Sequence, residues 1–475
     1  MVSGPLLTWG TVEVNRMVER IVLKNVRRID PVSGSDEVRD VCLVEGRETE
    51  PSRQETSDTL QIDCTGAVLS PAFIDLHCHL REPGLEHKET IRSGTAAAAA
   101  GGFATVCCMP NTRPPLDNAS RIREVLALAS REAFVNVLPV AAVTIGQQGT
   151  ELVNVPEVAK SGAVGLSDDG RYVADPVVMR DALRAADAVG MSVMDHAQDD
   201  ALVSGGVMHE GDVSRSIGLA GMPAAAEEIA IARDIALARL TGAHVHIQHV
   251  TTWRGVDLIR RAKLENVHVT AEATPHHLTL TDNDVVEREP DGSAFFNANA
   301  KVNPPLRTPE DVRSLISGLL DGTIDAIATD HAPHSLEDKR GSPGESAFGI
   351  SGFETALAAV LELHHRGSVG LLKLVRALTT GPASVLGRRV SVDMSTNLVL
   401  FDPALEWVVN TAAFLSRGAN TPLAGRTVRG KVLATLCNGT CVFAASDLNP
   451  RIAGSVPAWW ISSAARRASR ETAGT

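Results

Sequence analysis

Short apolar runs recur along the middle of the chain, and this repetition constrains the fold more than any other feature of the sequence. Eight runs fall between about residues 66 and 382: 67–77, 103–109, 134–143, 162–167, 191–196, 243–250, 267–274 and 324–330. Each is too short for a helix and nearly continuous in apolar residues, which is typical of parallel strands covered on both faces. Helix-like patterns separate them, as at 117–133, 175–190 and 223–240. This alternation predicts an α/β fold, a (β/α)8 TIM barrel with insertions.

The two ends of the chain have a different pattern. Residues 19–69 and 390–445 contain short β-like pieces separated by polar turns. They predict a small β-sandwich domain formed from both chain ends and packed beside the barrel. The expected division is 1–69 and 383–448 for the sandwich, 70–382 for the barrel and 449–475 for a flexible tail. An open doubly wound sheet is the alternative, but the Gly-rich nucleotide turn after its first strand is missing.

Composition and charge exclude several classes of protein. The formal net charge of -12 argues against a nucleic-acid partner, because phosphate neutralisation needs a basic face. No apolar run reaches the ~18–20 residues of a membrane span, and residues 1–20 lack the basic start and apolar core of a signal peptide. The seven cysteines are scattered without a recurring CxxC pair, which favours reduced thiols. We therefore expect a cytoplasmic protein.

Histidines and aspartates stand at the ends of the predicted strands. They are His77, His79, Asp168, Asp169, His196, His249 and Asp330. A barrel gathers the ends of its strands at the C-terminal rim, where active sites lie. Imidazole nitrogen and carboxylate oxygen are ligands that zinc accepts. Two zinc ions would need a shared bridging anion, and Asp168 or Asp169 could supply it.

Seven motifs, in chain order, carry a resemblance to a known family. They are FIDLHCHLREPG (73–84), GGFATVCCMPNTRPPLDN (101–118), GLSDDG (165–170), MDHAQDD (194–200), HVHIQHV (244–250), VNPPLR (302–307) and ATDHAPH (328–334). Over about residues 20–445 the chain resembles the dihydroorotases of the bacterial type I group, within the amidohydrolase superfamily.

The resemblance implies a zinc site with one or two ions, two being favoured. His77, His79 and Asp330 would hold the first zinc, and His196 and His249 the second, with Asp169 as the bridging ligand. Related hydantoinases and allantoinases place a carboxylated lysine at the bridging position. Here the motif is LSDDG without a lysine, which favours the type I dihydroorotases.

The resemblance also implies a site for a substrate with an α-carboxylate. Arg81 would grip the carboxylate, and a planar guanidinium fork suits that task. Asn111, Asn303 and His334 would assist, while main-chain groups around Phe348 and Gly349 would hydrogen-bond the ring amides. The polar, Gly-rich segment 335–349 is expected to form a loop over the mouth of the barrel.

The implied activity is the reversible cyclisation of N-carbamoyl-L-aspartate to L-dihydroorotate in pyrimidine biosynthesis, with Asp330 as base and then acid. One alternative is a hydantoinase- or allantoinase-like cyclic amidohydrolase. Another is an inactive homologue that acts as a scaffold for aspartate carbamoyltransferase, with which some members of this group associate. A homodimer is the expected oligomer.

Three further residues have a structural interpretation. Alternation along the strand points His244 and His246 to the face opposite His249, so we expect them to be structural. Lys88, in the segment EHKET, is expected to be solvated at the start of a helix.

Overall fold

The computed structural model describes residues 20–49, 59–288, 294–387, 390–447 and 452–453. Most of the expected tail at 449–475 lies outside the described residues. The strands, numbered in chain order, are β1 Arg20–Ile29, β2 Asp36–Val44, β3 Arg47–Thr49, β4 Thr59–Asp63, β5 Val68–Pro71, β6 Phe73–Cys78, β7 Phe103–Cys108, β8 Asn136–Pro139, β9 Val193–Asp195, β10 Met208–His209, β11 Gly221–Met222, β12 Val245–Ile247, β13 Val269–Ala273, β14 Val286–Arg288, β15 Ala294–Phe296, β16 Ala326–Ile327, β17 Leu398–Val408, β18 Thr427–Cys437, β19 Thr440–Ala444 and β20 Ile452–Ala453.

The helices lie between the strands of the middle region and after them. They are α1 Ile91–Ala100, α2 Ala119–Glu132, α3 Val155–Lys160, α4 Pro176–Asp187, α5 Asp212–Ser216, α6 Ala224–Thr241, α7 Trp253–Leu264, α8 Pro275–Thr279, α9 Pro309–Asp321, α10 Leu336–Lys339, α11 Phe353–His365, α12 Leu371–Leu378 and α13 Thr380–Leu386. The helices predicted at 117–133, 175–190 and 223–240 are confirmed as α2, α4 and α6. None of the helices in the described ranges combines the length and apolar character needed to cross a bilayer.

Two parallel sheets form the centre of the molecule. One has the order β6-β7-β8 and the other the order β9-β12-β13-β16. Single parallel bridges lie between these sheets on both sides. On one side Leu166 pairs with Ala141 and with Val193, and on the other Cys78 pairs with His331. The carboxyl ends of all these strands therefore face the same way.

The run 162–167, predicted as a strand, pairs with its neighbours on both sides, but its ladder is short and only Leu166 makes bridges. The carboxylate of Asp168 accepts hydrogen bonds from the backbone N–H groups of Val143 (2.8 Å) and Thr144 (3.1 Å). A longer ladder beyond Ala141 would have needed those donors. The run nevertheless occupies the place of a short strand, since the N–H groups of Val164, Leu166 and Ser167 donate to Pro139 O, Ser192 O and Ala141 O.

The run 67–77 is also not one strand, since it divides at Ala72 into β5 and β6. The N–H of Ala72 donates to Asn397 O (2.9 Å), whereas the N–H of Phe73 donates to Gly102 O (2.9 Å). Consecutive residues thus belong to different sheets. β5 pairs antiparallel with β17, and β6 pairs in parallel with β7.

Both chain ends meet in one nine-stranded sheet with the order β19-β18-β17-β5-β1-β2-β3. β4 pairs with β1 and with β20 beside this path. The two ends therefore share a sheet, as expected. A two-layer sandwich stays a prediction.

Aromatic side chains join this sheet to the parallel strands. Phe73 lies 5.5 Å from Phe103 and 6.2 Å from Phe401, measured between ring centroids. Phe103 also packs against Phe353 of α11 at 5.4 Å. All four rings are buried, so β17 of the terminal sheet and β6 of the central region share one apolar core.

We expect Phe401→Ala to destabilise the protein by about 3–5 kcal/mol, because it removes a buried ring and leaves a cavity at this junction. Val408→Ala on the same strand is the matched control, since Val408 is 57% exposed and surface changes usually stay within about 0.5 kcal/mol. Urea unfolding of both variants measures the difference. Equal midpoints would contradict a shared core.

Candidate active site

One cavity of about 200 Å³ collects the predicted site residues at the carboxyl ends of the parallel strands. It is lined by His79, Arg81, Asn111, Asp169, His196, His249, Asn303, Asp330, His334, Phe348 and Gly349, together with Gly170 and Ala332. His77, the remaining predicted residue, is fully buried and contacts Asp169.

The carboxylate of Asp169 lies among four imidazoles. Its Oδ1 is 3.2 Å from His77 Nε2, 3.6 Å from His196 Nδ1 and 3.8 Å from His249 Nε2, and its Oδ2 is 3.5 Å from His79 Nε2. Burial disfavours the charged carboxylate, but these imidazoles hold the pKa of Asp169 well below its ordinary value. Asp169 is therefore ionised and in reach of ligands from several strands.

Asp168 points away from this cluster. Besides the two backbone N–H groups already described, its carboxylate accepts a hydrogen bond from the hydroxyl of Thr144. Burial raises the pKa of Asp168 to about 6. Of the two neighbouring acids, the structure brings Asp169 to the imidazoles.

His77 and His79 each have one ring nitrogen held by an acceptor on the far side of the ring. His77 Nδ1 is 2.9 Å from Glu272 Oε1, and His79 Nδ1 is 2.9 Å from Asn111 Oδ1. Since a carboxylate and an amide oxygen only accept, both Nδ1 atoms carry hydrogen. Both Nε2 atoms then lie on the side of Asp330 Oδ1, at 3.7 Å and 3.1 Å.

His196 and His249 form the second half of the cluster, with His196 Nδ1 2.9 Å from His249 Nε2. The amide of Asn303 lies 3.2 Å from His196 Nε2 and accepts a hydrogen bond from Gln198 Nε2 at 2.7 Å. Asn303, predicted to assist substrate binding, thus also orients a histidine of the cluster.

The cluster fits a divalent metal such as zinc. Two groups of three buried ligands, His77 with His79 and Asp169, and Asp169 with His196 and His249, each keep their ligand atoms within 4.8 Å of one another. Among the described residues, His77 Nε2 and His249 Nδ1 are buried without a hydrogen-bond partner. Although burial opposes its charge, Asp169, Asp330 and Glu272 raise the pKa of His77 well above its ordinary value, and a divalent cation among these groups would take the place of that proton.

Arg81 and His334 lie side by side at another part of the cavity wall. Arg81 Nε donates to Pro333 O (3.3 Å), and Arg81 Nη2 is 3.3 Å from His334 Nε2. The prediction that Lys88 is solvated is wrong. Lys88 is half-buried, and its Nζ lies 3.3 Å from both His334 Nδ1 and Asp338 Oδ1, because the turn before α1 packs against the segment around α10.

The segment 335–349 contains α10 and is held by two buried lysines. Lys301 Nζ donates to Pro343 O (2.6 Å) and Ser346 O (2.5 Å), and Lys339 Nζ donates to Ala347 O (2.7 Å) and Gly349 O (2.9 Å). The N–H of Gly349 donates to Lys301 O (2.8 Å). Phe348 O accepts from His334 Nε2 at 2.8 Å. Contacts of Phe348 and Gly349 with substrate amides stay a prediction.

Three residues of the site have a left-handed backbone. Arg81, His249 and Asp330 have φ of 61°, 30° and 44°. Such conformations cost of order 1–3 kcal/mol for residues other than glycine and tend to cluster at functional sites. They also interrupt the regular alternation of side chains at the strand ends.

Comparisons with known proteins agree with this geometry. The chain is 43% identical over 431 residues to the dihydroorotase of Anaeromyxobacter sp. (strain K), covering 90% of this chain and 98% of the relative. It is 42% identical over 424 residues to the dihydroorotase of Thermoanaerobacter sp. (strain X514), covering 88% and 96%. A family model described as dihydro-orotase-like matches residues 66–254.

The chain belongs to the dihydroorotase family. The resemblance seen in its motifs is thereby confirmed. Among solved structures, L-hydantoinase (dihydropyrimidinase) from Arthrobacter aurescens has a TM-score of 0.75 and 22% identity, covering 93% of this chain and 97% of the other. At that identity the likeness shows a shared fold.

Sequence reasoning missed Glu272, which supports the cluster of this dihydroorotase-family chain. Glu272 is fully buried on β13, and its Oε2 lies 3.0 Å from His246 Nε2 while its Oε1 contacts His77. Although burial opposes its charge, hydrogen bonds from His246 and His77 lower the pKa of Glu272 to about 2. The signal was present, because an acid inside the apolar run 267–274 needs buried partners. His246, which we expected to be structural, is linked to His77 through Glu272.

We expect Glu272→Gln to weaken zinc binding about 10–100-fold, because a carboxylate behind a ligating histidine fixes its tautomer and orientation. The amide can accept from only one of its two histidines through its oxygen. Competition with a chelator, on protein shown to be folded by circular dichroism, measures the affinity.

Glu124→Gln, at an exposed position of α2, is the matched control and should bind zinc as the parent does. Unchanged zinc affinity in Glu272→Gln would contradict this role.

Proposed function

We propose that this chain is a zinc-dependent dihydroorotase, which interconverts N-carbamoyl-L-aspartate and L-dihydroorotate in de novo pyrimidine biosynthesis. The observation that carries the proposal is the presence of Arg81 in the same cavity as the imidazole–carboxylate cluster. The cluster suits amide hydrolysis, and Arg81 suits a substrate that carries a carboxylate. Relatives named dihydroorotase, with 42–43% identity over most of the chain, support it.

His77, His79, Asp169, His196, His249 and Asp330 would hold one or two zinc ions, with two favoured. When bound, zinc supplies Lewis acidity and lowers the pKa of a water ligand towards about 7. Glu272 and Asn111 keep the Nε2 atoms of His77 and His79 turned inward, towards Asp169 and Asp330.

Asp330 would carry the proton. Burial disfavours its charge, but His77 and His79 hold the pKa of Asp330 below its ordinary value, so the carboxylate is ionised and able to accept. In hydrolysis it would take a proton from the attacking water and deliver it to the amide nitrogen as the C–N bond breaks. In cyclisation it would remove the ureido proton as that nitrogen attacks the side-chain carboxyl carbon and would pass the proton to the departing oxygen, which leaves as water after taking a second proton from solvent.

Arg81, with Asn111, Asn303 and His334, would bind the α-carboxylate. Among the described residues, Arg81 finds one hydrogen-bond acceptor, the carbonyl oxygen of Pro333. Its remaining guanidinium donors are available to a bound anion. Main-chain groups of Phe348 and Gly349 would contact the ring amides.

The two parallel sheets and the bridged Leu166 would together constitute one (β/α)8 barrel, and the terminal sheet would fold as a β-sandwich. The bridges on both sides of the sheets support closure. We place the domain boundaries after β5 and after α13. β5 belongs to the terminal sheet, and α13 continues without a break past residue 382, where the sequence predicted the boundary. We further propose that the chain is a cytoplasmic homodimer, with aspartate carbamoyltransferase as a candidate partner.

A substrate panel with parallel zinc quantification tests the function. We expect the purified chain to contain zinc and to hydrolyse L-dihydroorotate in preference to dihydrouracil and allantoin, which offer no α-carboxylate to Arg81. Arg81→Met should remove this preference. Faster turnover of dihydrouracil or allantoin would favour a hydantoinase- or allantoinase-like enzyme, and near-zero zinc without turnover would favour the scaffold.

Asp330→Asn should lower kcat for L-dihydroorotate by about 10²–10⁴-fold, the usual contribution of a general acid or base. It should retain most of the zinc, because His77, His79 and Asp169 remain as ligands. Steady-state kinetics and metal analysis on the same preparation separate the two effects. Near-normal turnover with bound zinc would contradict the assignment of Asp330 as the base.

A further inference from the structure

The imidazole of His334 lies between a group that only donates hydrogen bonds and a group that only accepts them. Lys88 Nζ is 3.3 Å from its Nδ1, and Phe348 O is 2.8 Å from its Nε2. A carbonyl oxygen accepts, so Nε2 carries the hydrogen, and an ammonium donates, so Nδ1 presents its lone pair. Burial, together with the charges of Arg81 and Lys88, lowers the pKa of His334 to about 2, in keeping with a neutral ring.

This tautomer decides what Arg81 can do. Arg81 Nη2 lies 3.3 Å from His334 Nε2, but a guanidinium only donates and cannot bond to an N–H. The opposite tautomer would offer a lone pair at Nε2 and would capture the guanidinium. With the Nε2 hydrogen donated to Phe348 O, His334 offers Arg81 no acceptor, and the guanidinium keeps its donors for the cavity that it lines.

Asp338 holds Lys88 beside His334 Nδ1, where its ammonium supports the tautomer that Phe348 O also favours. Asp338 Oδ1 is 3.3 Å from Lys88 Nζ. Asp338 Oδ2 is fixed in turn by the hydroxyl (2.7 Å) and N–H (3.0 Å) of Ser335 at the start of α10. Asp338 Oδ2 itself is 3.9 Å from His334 Nδ1, too far for a hydrogen bond. Lys88 is therefore the donor that reaches this nitrogen.

We propose that Lys88 is a positioning residue for substrate specificity, which holds His334 in the Nε2–H tautomer so that the guanidinium of Arg81 stays free to bind the substrate carboxylate. This inference rests on the proposed function. Lys88 contacts neither the imidazole–carboxylate cluster nor the reacting amide, so its effect should fall on substrate binding and leave the chemical step intact.

The test compares Lys88→Met, Lys88→Arg and Lys160→Met in the zinc-loaded enzyme. Lys160 ends α3 at an exposed position, so it controls for loss of a lysine charge. For Lys88→Met we expect KM for L-dihydroorotate to rise about tenfold, the loss of one charge-assisted hydrogen bond, with kcat unchanged. Lys88→Arg keeps a donor and should restore most of the affinity, and Lys160→Met should match the parent.

Nitrogen-15 spectra of histidine-labelled protein give a second readout that does not depend on turnover. The His334 signals, assigned with His334→Asn, should show an unprotonated Nδ1 and a protonated Nε2 in the parent and in Lys88→Arg, and a shift towards the other tautomer in Lys88→Met. An Nδ1–H tautomer in the parent, or unchanged spectra and KM in Lys88→Met, would overturn the inference.

Failure of the proposed function has a different signature. In that case the parent turns over no L-dihydroorotate, while the nitrogen-15 spectra still report the tautomer of His334. If Lys88→Met does not fold, Lys88→Arg and Lys88→Gln are compared instead. The glutamine can donate without a charge and should keep the tautomer with an intermediate KM. A glutamine variant with parental KM and the opposite tautomer would also overturn the role.

Discussion

The structure depends most on the buried carboxylate of Asp169. Its two oxygens are within 3.2–3.8 Å of four imidazoles, and a buried charge of this kind is tolerated only where partners surround it. Those partners are supplied by segments far apart in sequence, at His77, His79, His196 and His249. The carboxyl ends of the parallel strands meet at one rim, and this arrangement brings them together. The parallel arrangement is thus a condition for the site.

Hydrogen bonds behind the imidazoles fix the orientation of the rings in the cluster. Glu272 joins His77 to His246, and Asn111 joins His79 to Asp169, with its Nδ2 3.2 Å from Asp169 Oδ2. Each bond on the far side of a ring leaves the other nitrogen facing inward. Buried polar residues such as Glu272 therefore have a function inside the central sheets, since they orient the rings that face the cavity.

Sequence patterns predicted the helices α2, α4 and α6, most of the parallel strands and the residues that line the cavity, because strand-end position and residue type carry that information. They were incomplete where regular strand pairing is interrupted and where contacts come from distant parts of the chain. The run 162–167 pairs with both neighbouring strands but is bridged only at Leu166, since Asp168 takes the N–H of Val143 that a longer ladder would use. The alternation of side chains cannot describe Arg81, whose backbone is left-handed. Lys88 was missed because its partners come from a distant segment, and no local pattern reports them.

The cavity is divided by charge, and this division connects the fold to the choice of substrate. Carboxylates and imidazoles occupy one part, while Arg81 and Lys88 bring positive charge to the part beside His334. Burial lowers the pKa of Arg81, and the charges of Asp330 and Asp169 oppose that effect from across the site. A buried guanidinium with a single acceptor is incompletely satisfied. A ligand carboxylate would complete its hydrogen bonds, so binding energy would come from the end of the substrate that does not react, while the amide faces the cluster.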